Sequence, residues 1–67
     1  MFFTLNQFLQ RVWYVQKIEV RRTVANGKIV LTGESFMIQR DPVYREYENF
    51  YINSIGADGD KLVIVIG

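Results

Sequence analysis

Apolar residues along this chain follow different rhythms in successive segments. Leu5, Phe8, Leu9 and Val12 stand at i, i+3, i+4 and i+7, which lines one face of a short α-helix. Thr4-Leu5-Asn6-Gln7 ahead of them reads as a capping box, in which the Thr4 hydroxyl accepts from the Gln7 amide and the Gln7 side chain reaches back. Phe3 and Phe8 occupy the two staple positions. A helix is therefore expected from Leu5 to Val12 or Trp13, with an apolar face that needs a sheet. From Gln16 to Val24 the period becomes two, with Ile18, Val20 and Val24 on one side and Lys17, Glu19, Arg21 and Thr23 on the other, the pattern of a half-buried strand.

Asn26-Gly27 is the residue pair of a type I′ turn, so Lys28 to Glu34 is expected to return antiparallel. A two-residue loop sets Val24 against Ile29, Thr23 against Val30 and Arg22 against Leu31, which keeps Ile29 and Leu31 on the side of Ile18 and Val20. Gly33 then lies opposite Val20, where a missing side chain admits a helix or marks a bulge. Ser35 to Arg40 reads two ways, because Phe36 and Ile38 alternate as in a strand but the segment is short. Asp41 and Pro42 suit the N-cap and first position of a short helix or turn reaching about Glu48. Phe50 to Ile55 reads as a third strand, Asp58-Gly59 as a second hairpin turn and Lys61 to Ile66 as a fourth strand. The expected architecture over residues 1–67 is one α+β domain. Its N-terminal helix packs on a four-stranded antiparallel sheet of two hairpins, and a short helical segment lies between the hairpins.

Leu62 to Ile66 is apolar at every position, whereas an antiparallel strand with one wet face should alternate. The second face needs a cover. Either the Pro42 region or the Trp13-Tyr14 loop folds over it, or Val63 and Val65 form a self-complementary dimer surface. Chain length bears on this choice, since 67 residues bury only a modest core and the absence of Cys removes disulfide staples. A homodimer is accordingly expected. The chain opens with no charged segment followed by an apolar one and holds no apolar run near the length of a membrane span, so a cytoplasmic location in a host cell and no membrane partner are expected.

With neither His nor Cys, the commonest general base, the thiol nucleophile and the usual transition-metal ligands are missing together. No catalytic, metal-binding or cofactor-binding residue is assigned, and the expectation is a protein that is not an enzyme and takes no cofactor. Asp58-Gly59-Asp60 has the look of part of a calcium loop, but a strand begins at once and a hairpin turn accounts for it. Glu19 and Glu34 face each other in the expected register as exposed carboxylates with Lys17, Arg21 and Lys28 nearby. A net charge of +1 disfavours a partner bound by many phosphate contacts, so nucleic acid is possible but not favoured.

The candidate partner-binding residues are aromatic and basic. Tyr44, Tyr47 and Tyr51 recur at i, i+3 and i+7, Arg40 and Arg45 lie close in sequence, and Trp13 is next in rank; together they have the composition of a binding hot spot. The competing reading is that some of these rings cap the edge of the sheet. Lys17, Arg21 and Arg22 make a basic strand that either meets an acidic partner or protects an edge.

The run Thr4-Leu5-Asn6-Gln7-Phe8-Leu9, the strand Ile18-Glu19-Val20, Asn26-Gly27 with Gly33 after it, Ile52-Asn53-Ser54-Ile55 and the ending Lys61-Leu62-Val63-Ile64-Val65-Ile66 resemble short accessory proteins carried by phages and prophages of Gram-positive gut bacteria. The resemblance spans most of the chain. Its matching positions are mainly apolar and turn residues, which specify a fold rather than a site, so no functional residue carries over. It implies an accessory protein of a mobile element, a class that includes inhibitors of host defence such as anti-CRISPR proteins. The expected function is thus a small inhibitor that occupies the surface of a host protein or nucleoprotein. A nucleotide or nucleic-acid binding module that stacks on Tyr and holds phosphate with Arg is one alternative, and a structural subunit of a phage assembly is another.

Overall fold

The computed structural model describes residues 3–24 and 26–67. Thr4 opens the first helix, α1 (Leu5–Leu9), through the expected capping box: Thr4 Oγ1 accepts from the Gln7 amide at 3.1 Å and Gln7 Oε1 accepts from the Thr4 amide at 3.0 Å. Two further amides that a helix start leaves unpaired are satisfied from elsewhere in the chain. Leu5 donates to the Phe50 carbonyl and Asn6 to the Glu48 carbonyl, both at 2.9 Å. The helix is shorter than its apolar stripe. After Leu9 the bonds tighten to Arg11 on Phe8 and Val12 on Leu9, and the chain turns through Trp13 to Gln16. Leu5 and Leu9 are still fully buried, and Phe8 and Val12 pack against the same core.

The strands are β1 (Lys17–Arg22), β2 (Ile29–Glu34), β3 (Ile52–Asp58) and β4 (Lys61–Ile66), in the spatial order β2-β1-β4-β3. Both expected hairpins are present, but the sheet is mixed rather than antiparallel. β1 and β4 run parallel down its centre, with Ile18 beside Leu62, Val20 beside Ile64 and Arg22 beside Ile66. Turn residues dictate pairing only within a hairpin, and the long connection from β2 to β3 decides how the two hairpins meet. That connection holds α2 (Ser35–Arg40) and α3 (Tyr44–Tyr47) and takes the chain from one sheet edge to the other. In β4, Ile64 and Ile66 are fully buried and Val63 and Val65 are half-buried.

Within the first hairpin the register is two residues from the expected one, pairing Val20 with Leu31 and Ile18 with Gly33. A shift of two keeps Leu31 with Ile18 and Val20, but the irregularity between Val20 and Arg21 sets Ile29 opposite Arg21. Ile29, expected on the apolar side, is therefore exposed, and Val30 packs against the core. The cause is a wider loop. β1 ends at Arg22, whose amide donates to the Lys28 carbonyl at 3.0 Å, and Gly27 donates to Val24 at 3.2 Å. Asn26 and Gly27 do adopt positive φ (57° and 74°), but inside this wider loop rather than as its whole; Ala25 lies outside the described residues. Val24, expected on the apolar side, is exposed there. In the second hairpin β3 starts and ends later than expected. Asp58 pairs with Lys61, and the loop residues are Gly59 and Asp60, with Gly59 at φ 64°.

Ser35 to Arg40 is helical, and its start is held by backbone from far away: Ser35 donates to the Gln16 carbonyl and Phe36 to the Tyr14 carbonyl, each at 2.9 Å. Asp41 acts near its expected place, with Oδ1 accepting from the Val43 amide at 2.9 Å, and the turn that follows leads into α3. The buried apolar set is Leu5 and Leu9 of α1, Ile38 of α2, Tyr44 of α3, and Ile18, Val20, Leu31, Ile64 and Ile66 of the sheet. The domain is thus two layers, with all three helices on one face of the sheet. Burying each of these aliphatic side chains contributes roughly 1.5–3 kcal/mol.

Gly33, opposite Ile18 rather than Val20, has φ 137°, and apart from its own chain neighbours no heavy atom of the described residues lies within 4 Å of where its Cβ would be. The glycine is there for its backbone conformation at the strand-to-helix junction, not to admit a helix. Gly33→Ala is expected to lower stability by about 1–2 kcal/mol in urea denaturation. Gly56→Ala, equally unhindered and without positive φ, should leave the midpoint nearly unchanged.

Candidate functional site

The bond from the Phe36 amide to the Tyr14 carbonyl fixes the start of α2 against the loop after α1 and brings their side chains together. Trp13 and Tyr14 meet edge to face at a centroid distance of 6.4 Å, and Tyr14 meets Phe36 in the same way at 6.2 Å. Arg40, one turn further along α2, holds its guanidinium 5.8 Å from the Phe36 ring centre. Met37 stands beside them, and Phe36, Met37, Arg40, Asp41 and Pro42 line a shallow groove. Trp13 is 70% exposed, Tyr14 63% and Met37 55%. Exposed rings and a thioether gathered around an arginine, on a surface the core does not use, have the makeup of a docking site.

The structure divides the expected binding residues. Trp13 and Arg40 come together in this cluster, joined by Tyr14, Phe36 and Met37, which sequence reasoning did not select. The useful signal was the Trp13-Tyr14 pair outside the helical stripe; the Phe36 contact depends on a long-range backbone bond. Tyr44 belongs to the core at 5% exposure, and its hydroxyl donates to Asn6 Oδ1 at 2.9 Å. Burial, reinforced by the nearby Glu48 carboxylate, pushes its pKa up to about 12. Tyr47 is half-buried, edge-on to Phe50 at 5.3 Å, with the Arg22 guanidinium over both rings. Tyr51 is exposed and bridges Thr4, while Arg45 is exposed on α3. The i, i+3, i+7 spacing therefore does not gather the three tyrosines on one surface, because α3 ends at Tyr47 and the chain re-enters the sheet.

The expected basic strand is also dispersed. Arg22 lies on the helix side, its Nε buried against aromatic rings with no hydrogen-bond acceptor among the described residues. On the open face of the sheet Lys17 pairs with Asp60 at 3.0 Å. Glu19, expected as an exposed carboxylate facing Glu34, is 5% exposed and faces Thr32. It bridges Arg21 at 2.6 Å and Lys61 at 2.9 Å. The Lys61 and Arg21 bonds together hold its pKa below the ordinary carboxylate range, and Glu19 in turn raises that of Lys61. Val63 and Val65 lie on this face, in register with Glu19 and Arg21 and half-buried among them. Neither the Pro42 region nor the Trp13-Tyr14 loop covers them, since the buried side chains of the helices join the opposite face. Asp58 and Asp60 are engaged by Lys61 and Lys17, and among the described residues no cluster of three or more carboxylates is placed to hold a metal ion.

Two titrations follow from this arrangement. A lowered Glu19 pKa contributes stability above the unfolded carboxylate pKa of about 4.3, which is lost as pH falls through the folded value. The urea midpoint of the wild type should therefore fall on acidification more steeply than that of Glu19→Gln. For Tyr44 the raised pKa reverses the window, with full stabilisation below the unfolded value of about 10 and loss as pH rises through the folded value near 12. Ultraviolet titration should show a tyrosine ionising near 12, and Tyr44→Phe should remove that step.

Comparisons with protein-family models, curated proteins and solved structures gave no match to this chain.

Proposed function

We propose that this chain is a non-enzymatic binding protein that docks onto a protein partner through Trp13, Tyr14, Phe36, Met37 and Arg40. The observation that carries this reading is the run of ring contacts from Trp13 through Tyr14 to Phe36, kept at the surface with Arg40 and Met37 beside it. Large side chains anchored by neighbours lose little conformational freedom on binding, and Trp, Tyr and Arg dominate the energetics of protein interfaces. The resemblance to phage and prophage accessory proteins supports a more specific role, an inhibitor that occupies the surface of a host defence protein. The same exposed rings and arginine suit a second reading, single-stranded nucleic acid stacked on Trp13 and Tyr14 with phosphate on Arg40.

Trp13 is the sole tryptophan and lies within the proposed surface, so its fluorescence reports occupancy directly. A tagged wild-type chain should retain a protein from bacterial lysate that a Trp13→Ala chain loses. The loss in affinity with the purified partner should exceed about 2 kcal/mol. Folding stability should change by under about 0.5 kcal/mol. Quenching by a single-stranded oligonucleotide that weakens steeply with salt would select nucleic acid instead. A partner held equally well by Trp13→Ala and Met37→Ala would sink the assignment of this surface.

A further inference from the structure

β3 is an edge strand, and after Ile52 every one of its residues is exposed. The Ile52 amide donates to the Phe3 carbonyl at 2.8 Å, but from Asn53 to Asp58 no described residue outside β4 bonds to its backbone. Edges of this kind are ordinarily blunted by lysine, proline or inward-pointing charge. Asn53-Ser54-Ile55-Gly56-Ala57 has none of these. Ile55 pairs with Ile64 and so points to the helix side of the sheet, yet it is 42% exposed because the helices do not reach this edge. Beside it is a groove of about 280 Å³ lined by Phe3, Ile52, Asn53, Ser54 and Ile55.

We infer that a second copy of this chain pairs with this edge, β3 against β3 and antiparallel, about a two-fold axis at Ile55. The register is self-complementary. Ile55 faces its own copy, Ser54 faces Gly56 and Asn53 faces Ala57. The pairing stops short of Ile52, whose amide is taken by Phe3, so the one charged residue of the strand, Asp58, falls outside the paired stretch. A two-fold axis perpendicular to the sheet keeps both helix layers on one side, so each Ile55 covers the apolar groove of the other copy. The bulge between Ile52 and Ser54 lies at the start of the strand, outside the centre of this pairing. Two four-stranded sheets become one of eight, and two open edges are removed together. The contact involves β3 rather than Val63 and Val65, whose face already carries the Arg21–Glu19–Lys61 ion pairs. It shares no residue with the Trp13 and Met37 surface and does not depend on the function proposed for that surface.

Light scattering across a concentration series tests this pairing. The wild-type mass should rise from 7.9 kDa toward twice that value. It should do so with little dependence on salt, since no ion pair crosses the interface. Ile55→Lys places two like charges on the axis and should weaken association by at least about tenfold. Val65→Lys should leave association unchanged. A wild-type chain that stays monomeric to millimolar concentration overturns the inference, as does an Ile55→Lys chain that associates like the wild type. Should Ile55→Lys fail to fold, hydrogen exchange of the wild type gives the same decision. Amides between Asn53 and Asp58 should slow as concentration rises, and exchange there that is independent of concentration refutes the pairing.

Discussion

The parallel contact between β1 and β4 is the constraint from which the remaining architecture follows. It sets Ile18 and Val20 directly beside Leu62 and Ile64, producing an apolar strip wide enough for three very short helices to share. A parallel pair cannot be closed by a tight turn, so the chain between β2 and β3 must cross the sheet, and α2 and α3 make that crossing. With β1 and β4 central, β2 and β3 become edges. The difference in burial between Ile64, which is sealed, and Ile55, its exposed partner across the hairpin, is a direct result of strand order.

Helices of four to six residues have no independent stability, since nucleation alone outweighs the few bonds they make. Here their ends are completed by distant parts of the chain. Carbonyls of Glu48 and Phe50 serve α1, and those of Tyr14 and Gln16 serve α2. Side chains continue the linkage: Tyr44 donates to Asn6, Gln10 reaches both Asn6 and Gln39, and Gln39 donates to the buried Ser35. The helical layer is therefore linked from piece to piece by hydrogen bonds. Such closure also accounts for how a chain of this length holds a fold without disulfides.

Aromatic residues show where the surplus lies. Among the described residues Tyr44 is the only aromatic in the fully buried set, and the rest of that set is aliphatic apart from Glu19 and Ser35. Tyr47 and Phe50 rim the core under Arg22, whereas Trp13 and Tyr14 remain in water. Exposed apolar rings reduce solubility and contribute little to folding where they stand, which is the ground for proposing the Trp13 cluster as a docking surface. The basic residues divide similarly. Lys17, Arg21 and Lys61 are neutralised by Asp60 and Glu19, and Arg40 remains at the aromatic surface.

Elements whose signals are local were legible in the sequence. The Thr4–Gln7 capping box, the stripe from Leu5 to Val12, the alternation through β1 and the two glycine turns act between residues a few positions apart. α1, the four strands and the buried side of β1 through Val20 could therefore be derived. Period-two alternation constrains facing but not register, which is why the first hairpin is displaced by two residues with Ile18, Val20 and Leu31 still inward while Val24 and Ile29 are left exposed. What only the tertiary structure decided depends on groups far apart along the chain. The parallel joining of the hairpins required the whole β2-to-β3 connection. Ser35 to Arg40 became a helix because carbonyls at Tyr14 and Gln16 meet its first amides. That same contact placed Phe36 beside Tyr14 and so assembled the surface cluster, while Tyr44 and Tyr47, equally promising by composition, were drawn into the core by the short turn at Asp41 and Pro42. Local chemistry chose the elements, and long-range backbone bonds chose their partners.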